Sequence, residues 1–422
     1  MQEEQRNLSR TIAAVERALE QKLHLGTQLF VTRSQEVLAD LAIGHATPER
    51  PLKNDDLMLW MSSTKPIVAA AIAQLVEKGK LGFNDLVAQH IPEFGRQGKE
   101  SITIRHVLTH TGGFRNAAIN RTAESWDEII AKICDSAIEA DWVPGQRAGY
   151  HLASGWYILA ELVRRVDGRP FEQYVRDQLF LPLAMNDSWV GMPEERYADY
   201  GERVVPIYST EKGQLDSRGF FNSQAGAVLC RPGANGRGPA RELGRFYQAM
   251  LDLHLHHCRP VSTGELVEES PEQDMVQTWA APGRTIAPDP PPEKRFGAGT
   301  RIWGQCPPIL SAPSAEQLTT RQRIGMYDET FKHIIDWGLG FIINSARYGA
   351  QTVPYGYGPH ASDDTFGHSG NQSSCAFADP AHELVVVWIC NGMPGEAKHD
   401  QRLRTINAAI YEDLGLVRSQ KP

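Results

Sequence analysis

Nowhere in the 422 residues does an uninterrupted apolar run reach the roughly 18 residues that a helix needs to cross a bilayer. A membrane-spanning helix is therefore not expected. The first residues, Met1-Gln2-Glu3-Glu4-Gln5-Arg6, lack the basic start and apolar stretch of a secretory signal. The expected location is the cytoplasm, or the periplasm if a leader has been removed. Cysteine is sparse: the six, Cys134, Cys230, Cys258, Cys306, Cys375 and Cys390, include no C-x-x-C pair. This spacing speaks against a disulfide framework and for reduced packing residues. Basic residues are outnumbered, 43 to 51, for a net charge of −8, and no Lys/Arg run is dense enough to track phosphates. Nucleic acid is not an expected partner. Internal repeats and low-complexity tracts are absent as well.

What is present is ordinary for a globular chain: 41% hydrophobic and 22% charged residues. The length fits two lobes, or one domain carrying a large insertion. Leu8, Ile12, Val15, Leu19 and Leu23 follow helical spacing, which predicts an amphipathic helix over residues 8–23. The short runs 28–32 and 36–42, split by Arg33-Ser34-Gln35, predict a hairpin. From Ser62 to about residue 330 helical patterns dominate, the clearest over 154–166 and 241–253. The stretch 282–299 carries Pro288, Pro290, Pro291 and Pro292 and reads as a long loop near the mouth of a site.

After Asp336 the pattern changes. Residues 337–344, 374–379 and 383–390 read as strands, and 400–414 as a closing helix with Leu403, Ile406, Ile410 and Leu414 on one face. Both ends of the chain thus carry the strands. The simplest α+β architecture is one antiparallel sheet of about five strands, flanked by the terminal helices, with a mainly helical lobe inserted. The expected division is 1–61 with 331–422 for the sheet domain, and 62–330 for the inserted lobe.

The chemistry is organised around Ser62-Ser63-Thr64-Lys65, where an apolar run ends and a helical pattern begins. Lys65 falls one turn beyond Ser62, so its amine can reach the hydroxyl. A serine hydroxyl needs a base to become nucleophilic, and a lysine serves only when burial or nearby cations lower its pKa. The second Ser-x-x-Lys, Ser209-Thr210-Glu211-Lys212, precedes Gly213-Gln214 without an apolar periodic run and reads as a turn. Downstream, Pro144-Gly145 leads to Tyr150 just before a long helix. A tyrosine held near Lys65, its phenol pKa lowered, can relay a proton to a leaving group. Finally, Gly367-His368-Ser369-Gly370-Asn371 precedes a strand. An edge strand there can pair a backbone N–H with that of Ser62 around an oxyanion, with His368 and Ser369 facing substrate and Gly370 allowing close approach.

In this order the three elements resemble those of the serine β-lactamase and penicillin-binding protein superfamily, most of all its class C-like esterase branch, the family VIII carboxylesterases. Ser62-Ser63-Thr64-Lys65 resembles S-x-x-K, Tyr150 stands at the Y-x-N or Y-S/Y-H element, and His368-Ser369-Gly370 resembles K-T-G or H-x-G. Leu108-Thr109-His110-Thr111-Gly112-Gly113 is similar to the family's L-L-T-H-T-S-G stretch, and Leu181-Pro182-Leu183-Ala184-Met185-Asn186-Asp187 to its P-L-G-M-x-D turn. The resemblance implies a sheet with a helical lobe and the site in the cleft between them. It implies Ser62 as nucleophile, Lys65 as its base, Tyr150 as proton relay, and the N–H groups of Ser62 and Asn371 as oxyanion hole. No metal or organic cofactor is implied.

Two departures tilt the expected substrate from β-lactams toward small carboxylic esters. Leu152 replaces an Asn that binds the substrate amide, and His368 replaces a lysine that holds the substrate carboxylate. The same machinery also suits β-lactam or D-amino peptide hydrolysis and acyl transfer, and a non-catalytic binding member of the fold is the alternative of another class. Oligomeric state is not legible.

Other readings are weaker. Gly367-His368-Ser369-Gly370 nearly spells a G-x-S-x-G elbow, but Asn371 stands where the second glycine belongs and no alternating strand-helix pattern surrounds it. His254, His256, His257 and Cys258 end a predicted helix without a matching acidic or Cys cluster, so no metal is expected there. His110 reads as structural. His151, beside Tyr150, either lines the pocket or packs beneath it.

Overall fold

The computed structural model describes residues 8–255 and 308–418; the proline-rich stretch 282–299 and His256, His257 and Cys258 lie outside the described residues. The chain opens with the helix Ser9–Glu20, as its apolar spacing requires. The hairpin follows, with strands Gly26–Arg33 and Glu36–Thr47 longer than the apolar runs alone indicate. Ser34 and Gln35 both take positive φ, +47° and +66°, the two-residue turn whose twist matches a right-handed strand pair.

The main sheet has eight antiparallel strands rather than about five. In spatial order they are Asp336–Trp337, Ile342–Ile343, Phe366–Gly370, Ser374–Asp379, Leu384–Cys390, Gly26–Arg33, Glu36–Thr47 and Arg50–Pro51. The five long strands are the middle ones, and the two-residue ladders at the edges enlarge the sheet. The stretch 337–344, expected as one strand, is two strands folded about Gly338–Phe341. Gly340 takes φ +84°, and the Gly338 N–H donates to the Phe341 carbonyl at 2.9 Å, closing the turn. The two ends of the chain meet in mid-sheet, where Phe30 pairs with Val387.

Strand alternation then sorts the core. Val385, Val387 and Ile389 face the helix Ala240–His254 through Phe246, Tyr247 and Met250. Val386 and Trp388 face the terminal helices Ser9–Glu20 and Glu396–Asp413 through Val15, Leu403, Ile406 and Ile410. Because both faces are covered, Leu384–Cys390 is buried along its whole length. Gly244 permits the close seat of Ala240–His254: a Cβ there would lie 2.2 Å from the Phe30 ring. Among the described residues no helix is long and apolar enough to cross a membrane, and Cys134, Cys230, Cys375 and Cys390 are free thiols.

A second, three-stranded sheet sets the site. Met58–Met61 pairs with Gly236–Gly238, which pairs in turn with Trp189–Val190. The chain leaves Met61 through one tight 3₁₀ turn, Ser62–Thr64, and enters the helix Lys65–Glu77, buried from Lys65 through Leu75. Pro66 is tolerated because it falls in the first turn.

Candidate active site

Met61 turns sharply, with φ +52° and ψ −133°, a conformation that costs a side-chain-bearing residue on the order of 1–3 kcal/mol. Hydrogen bonds from three directions hold it. The Thr64 hydroxyl donates to the Met61 carbonyl at 2.7 Å and accepts from the Gly236 N–H at 2.9 Å. The Ser374 hydroxyl donates to the Trp60 carbonyl at 2.7 Å. The Ser63 hydroxyl donates to the His368 carbonyl at 2.9 Å. Ser63, Thr64 and Lys65 are buried, and the turn leaves Ser62 partly open to solvent.

Lys65 Nζ lies 2.9 Å from Ser62 Oγ, 2.7 Å from the Gly233 carbonyl and 3.4 Å from the Leu152 carbonyl. A neutral amine has two N–H donors and one lone pair, and two of these neighbours can only accept. The third contact, to Ser62, is left for the lone pair. Burial, with repulsion from Arg121 added, pushes the Lys65 pKa well below the ordinary lysine value. Its ammonium form has no carboxylate partner among the described residues, and Ser62 has a base beside it.

Tyr150 is held from behind. Its backbone N–H donates to Asp328 Oδ1 at 3.1 Å, and its carbonyl accepts from the Thr330 hydroxyl at 3.0 Å. The ring lies 5.1 Å from Lys65 Nζ. The phenol pKa is raised, not lowered as its place beside a lysine led us to expect. Burial dominates, a hydrogen bond with the Ser62 side chain offsets part of it, and Asp328 adds to the rise. A phenol whose pKa is raised keeps its proton, so the group present is a proton donor.

The strand Phe366–Gly370 runs against the Ser62 turn. A Cβ on Gly370 would sit 2.4 Å from the Trp60 carbonyl, 2.2 Å from Ser374 Oγ and 2.8 Å from Met61 Cβ, so glycine sets this approach. Asn371, next in the chain, is exposed at the strand end.

Three side chains offered by the sequence for substrate contact are buried. His368 is buried, its ring packed against Trp337 and Tyr150 at 5.7 and 6.0 Å. Burial, with Lys65 adding repulsion, pulls its pKa down to about 3, so it is neutral and offers a carboxylate no charge. Ser369 points to the opposite face of the strand, where its hydroxyl donates to the Tyr355 carbonyl at 3.4 Å. Strand alternation makes it impossible for both to face one side. His151 is fully buried under the Tyr150 loop, with Nδ1 3.1 Å from Ser154 Oγ and its ring against Phe114. It packs rather than lines.

His110 serves that same loop: its Nδ1 accepts the His151 N–H at 3.0 Å, and its carbonyl accepts the Gly149 N–H at 2.9 Å. Ser209 lies in a two-residue strand before a turn closed from Gly213 N–H to the Thr210 carbonyl, and the turn leads into the strand Asp216–Ser217 rather than into a helix. His254 Nδ1 meets Thr319 Oγ1 at 2.8 Å, and the described residues hold no group of three metal-ligating side chains. Sequence reasoning missed Gly233, Ser374 and Asp328, which contribute through contacts 168, 314 and 178 residues away in the chain. No local pattern announces such contacts.

A family model described as Beta-lactamase matches residues 12–410. The chain is 30% identical over 240 residues to the putative penicillin-binding protein PbpX of Bacillus subtilis (strain 168), covering 55% of this chain and 56% of that protein. It is 31% identical over 298 residues to esterase EstB of Burkholderia gladioli, covering 64% and 76%. It spans only 39% of penicillin-binding protein 4* of Bacillus subtilis (strain 168); with PbpX, these two curated relatives are thus matched over about half their length or less. The solved structure of a family VIII carboxylesterase shares the fold, with a TM-score of 0.70 at 24% identity over 96% of this chain and 97% of that one.

Proposed function

The chain belongs to the beta-lactamase family, and we propose that within it this protein is a serine hydrolase that cleaves small carboxylic esters through an acyl-enzyme on Ser62. The observation that carries the reading is the Lys65 amine, 2.9 Å from Ser62 Oγ with two carbonyls as its other partners. Ser62 Oγ attacks the ester carbonyl and its proton passes to Lys65 Nζ. The negative charge that develops on the carbonyl oxygen is met by the N–H groups of Ser62 and Asn371. As the tetrahedral species collapses, the C–O bond to the alcohol breaks and the Tyr150 phenol protonates the departing oxygen. With Ser62 Oγ now an ester oxygen, the Lys65 ammonium gives its proton directly to the neighbouring Tyr150 phenolate, which restores both groups. Water then attacks the acyl-enzyme by the same route and releases the acid.

Two features favour esters over β-lactams. Leu152 is 60% exposed and turns its carbonyl, not a side-chain amide, toward Lys65. His368 is neutral and buried, so nothing at that position attracts the carboxylate of a β-lactam. The similarity to esterase EstB points the same way. The test is hydrolysis of 4-nitrophenyl butyrate and of a chromogenic cephalosporin by wild type and Ser62→Ala. Ester turnover lost in the variant, with little cephalosporin turnover, is expected. Cephalosporin turnover rivalling the ester would overturn the preference, and ester turnover surviving in Ser62→Ala would overturn the nucleophile.

A further inference from the structure

Around the segment that receives the Lys65 amine lies a cluster of arginines that pair with no carboxylate among the described residues. Arg231 stands two residues before Gly233, whose carbonyl takes the Lys65 amine at 2.7 Å. It is only 3% exposed, and its Nε and Nη2 are buried without a hydrogen-bond partner. The guanidinium rests on the rings of Phe220 and Phe221 at 4.8 and 4.7 Å. Those π faces attract the cation but leave its N–H groups unpaired. Beside it, the Tyr157 hydroxyl on the helix Ser154–Asp167 is also buried and unpartnered.

The neighbours deepen the imbalance. Arg121, half-buried, is near enough to repel both Arg231 and Lys65. Arg237 is 1% exposed and donates to the Phe221 carbonyl, with its Nε unpaired. Burial pulls the guanidinium pKa values of Arg231 and Arg237 down to about 10, with repulsion from Arg121 added at Arg231 and from Arg231 at Arg237, and among the described residues no carboxylate pairs with either or with Arg121. Buried arginines in folded proteins are ordinarily paired with carboxylates, because an unpaired buried charge is costly. Glu161 shows the usual arrangement in this molecule, closing ion pairs with Arg164 and Arg165 at 2.7 Å each.

Resting on the esterase reading, we propose that Arg231, with Arg121 and the Tyr157 hydroxyl, forms a subsite for a carboxylate, so that the preferred esters carry a free carboxylate remote from the scissile bond. The planar guanidinium presents its N–H groups in the fork that a carboxylate fills with two parallel hydrogen bonds. Gly233, two residues on, takes the Lys65 amine, and Arg121 acts on both Arg231 and Lys65, which ties the cluster to the Lys65 side of the nucleophile. An acidic ester supplies the missing charge on binding and takes it away when its product leaves. The carboxylate can belong to the acyl part, as in the half-ester of a dicarboxylic acid, or to the alcohol part.

The experiment measures kcat/KM for 4-nitrophenyl butyrate, for mono-4-nitrophenyl glutarate and for 4-carboxyphenyl butyrate, with wild type, Arg231→Met, Arg231→Lys and Arg121→Gln. The expected result is a ratio of acidic to neutral ester, for one of the two acidic substrates, that falls at least tenfold in Arg231→Met and several-fold in Arg121→Gln. Which acidic substrate responds tells whether the subsite serves the acyl or the alcohol part. Arg231→Lys keeps the charge without the fork and is expected to fall between. If Arg231→Met does not fold, half-buried Arg121→Gln decides, together with inhibition of wild-type butyrate hydrolysis by free glutarate and by 4-hydroxybenzoate. Ratios unchanged in every folded variant, with neither acid inhibiting, would overturn the subsite while leaving the esterase intact. No Ser62-dependent turnover of any of the three esters would instead defeat the esterase reading itself.

Discussion

Asp328 Oδ1 accepts the backbone N–H of Tyr150 at 3.1 Å, while Asp328 Oδ2 pairs with Arg323 at 3.1 Å. One fully buried carboxylate thus ties the Tyr150 loop to an arginine that also donates to the Thr109 carbonyl at 3.0 Å. Replacing Asp328 by Ala leaves the buried Arg323 without its carboxylate partner. The expected cost is about 3–5 kcal/mol of stability, read by urea denaturation. Asp328→Asn keeps the shape and part of the bonding, so its loss in kcat is expected to exceed its loss of stability.

In the proposed mechanism the Tyr150 hydroxyl has a chemical role and little structural one. Tyr150→Phe is expected to lower kcat by roughly 10²–10⁴ and leave the unfolding midpoint nearly unchanged. Wild-type rates in that variant would remove the phenol from the mechanism.

The pH profile follows from the opposite shifts at Lys65 and Tyr150. The active form has Lys65 neutral, and its pKa lies well below the ordinary lysine value, so kcat/KM rises with pH through that lowered pKa and then levels. Tyr150 must stay protonated, and its pKa is raised, so the alkaline fall lies above the ordinary tyrosine range. A rate that falls between neutral pH and pH 9 would contradict this assignment.

At Gly370 the approach of strand to turn is testable directly. A methyl there meets the Trp60 carbonyl and Ser374 Oγ, so Gly370→Ala pushes the strand away from Ser62. Activity is expected to drop at least tenfold, with a stability loss of about 1–3 kcal/mol. Ser63→Ala removes one hydrogen bond between the same pieces and is expected to be milder, about 1 kcal/mol.

Glu242 gives a stability signature away from the site. Buried and beside Asp187, it accepts the Ser188 hydroxyl at 2.5 Å, and burial pushes its pKa up to about 7. The folded state therefore holds this proton more tightly than the unfolded chain does. Stability from this group is full below the ordinary glutamate range and is lost as pH rises toward 7, a change on the order of 3 kcal/mol. Glu242→Gln is expected to flatten that slope in denaturation curves recorded from pH 4 to pH 8.

Sequence by itself determined what short-range periodicity can carry. The helices Ser9–Glu20, Ser154–Asp167 and Ala240–His254 and the strands Ser374–Asp379 and Leu384–Cys390 declare themselves through apolar spacing. So does the reach from Lys65 to Ser62, because three residues along a helical turn bring two side chains together whatever surrounds them. The tertiary structure alone decided the rest. The fold of 337–344 into two edge strands, the opposite faces of His368 and Ser369, and the burial of His151 depend on which distant segments pack beside them. So does the protonation pattern, because a pKa answers to burial and to charges in space. The Lys65 pKa falls and the Tyr150 pKa rises because burial, with Arg121 near the one and Asp328 near the other, acts on both, and those neighbours are far off in the chain.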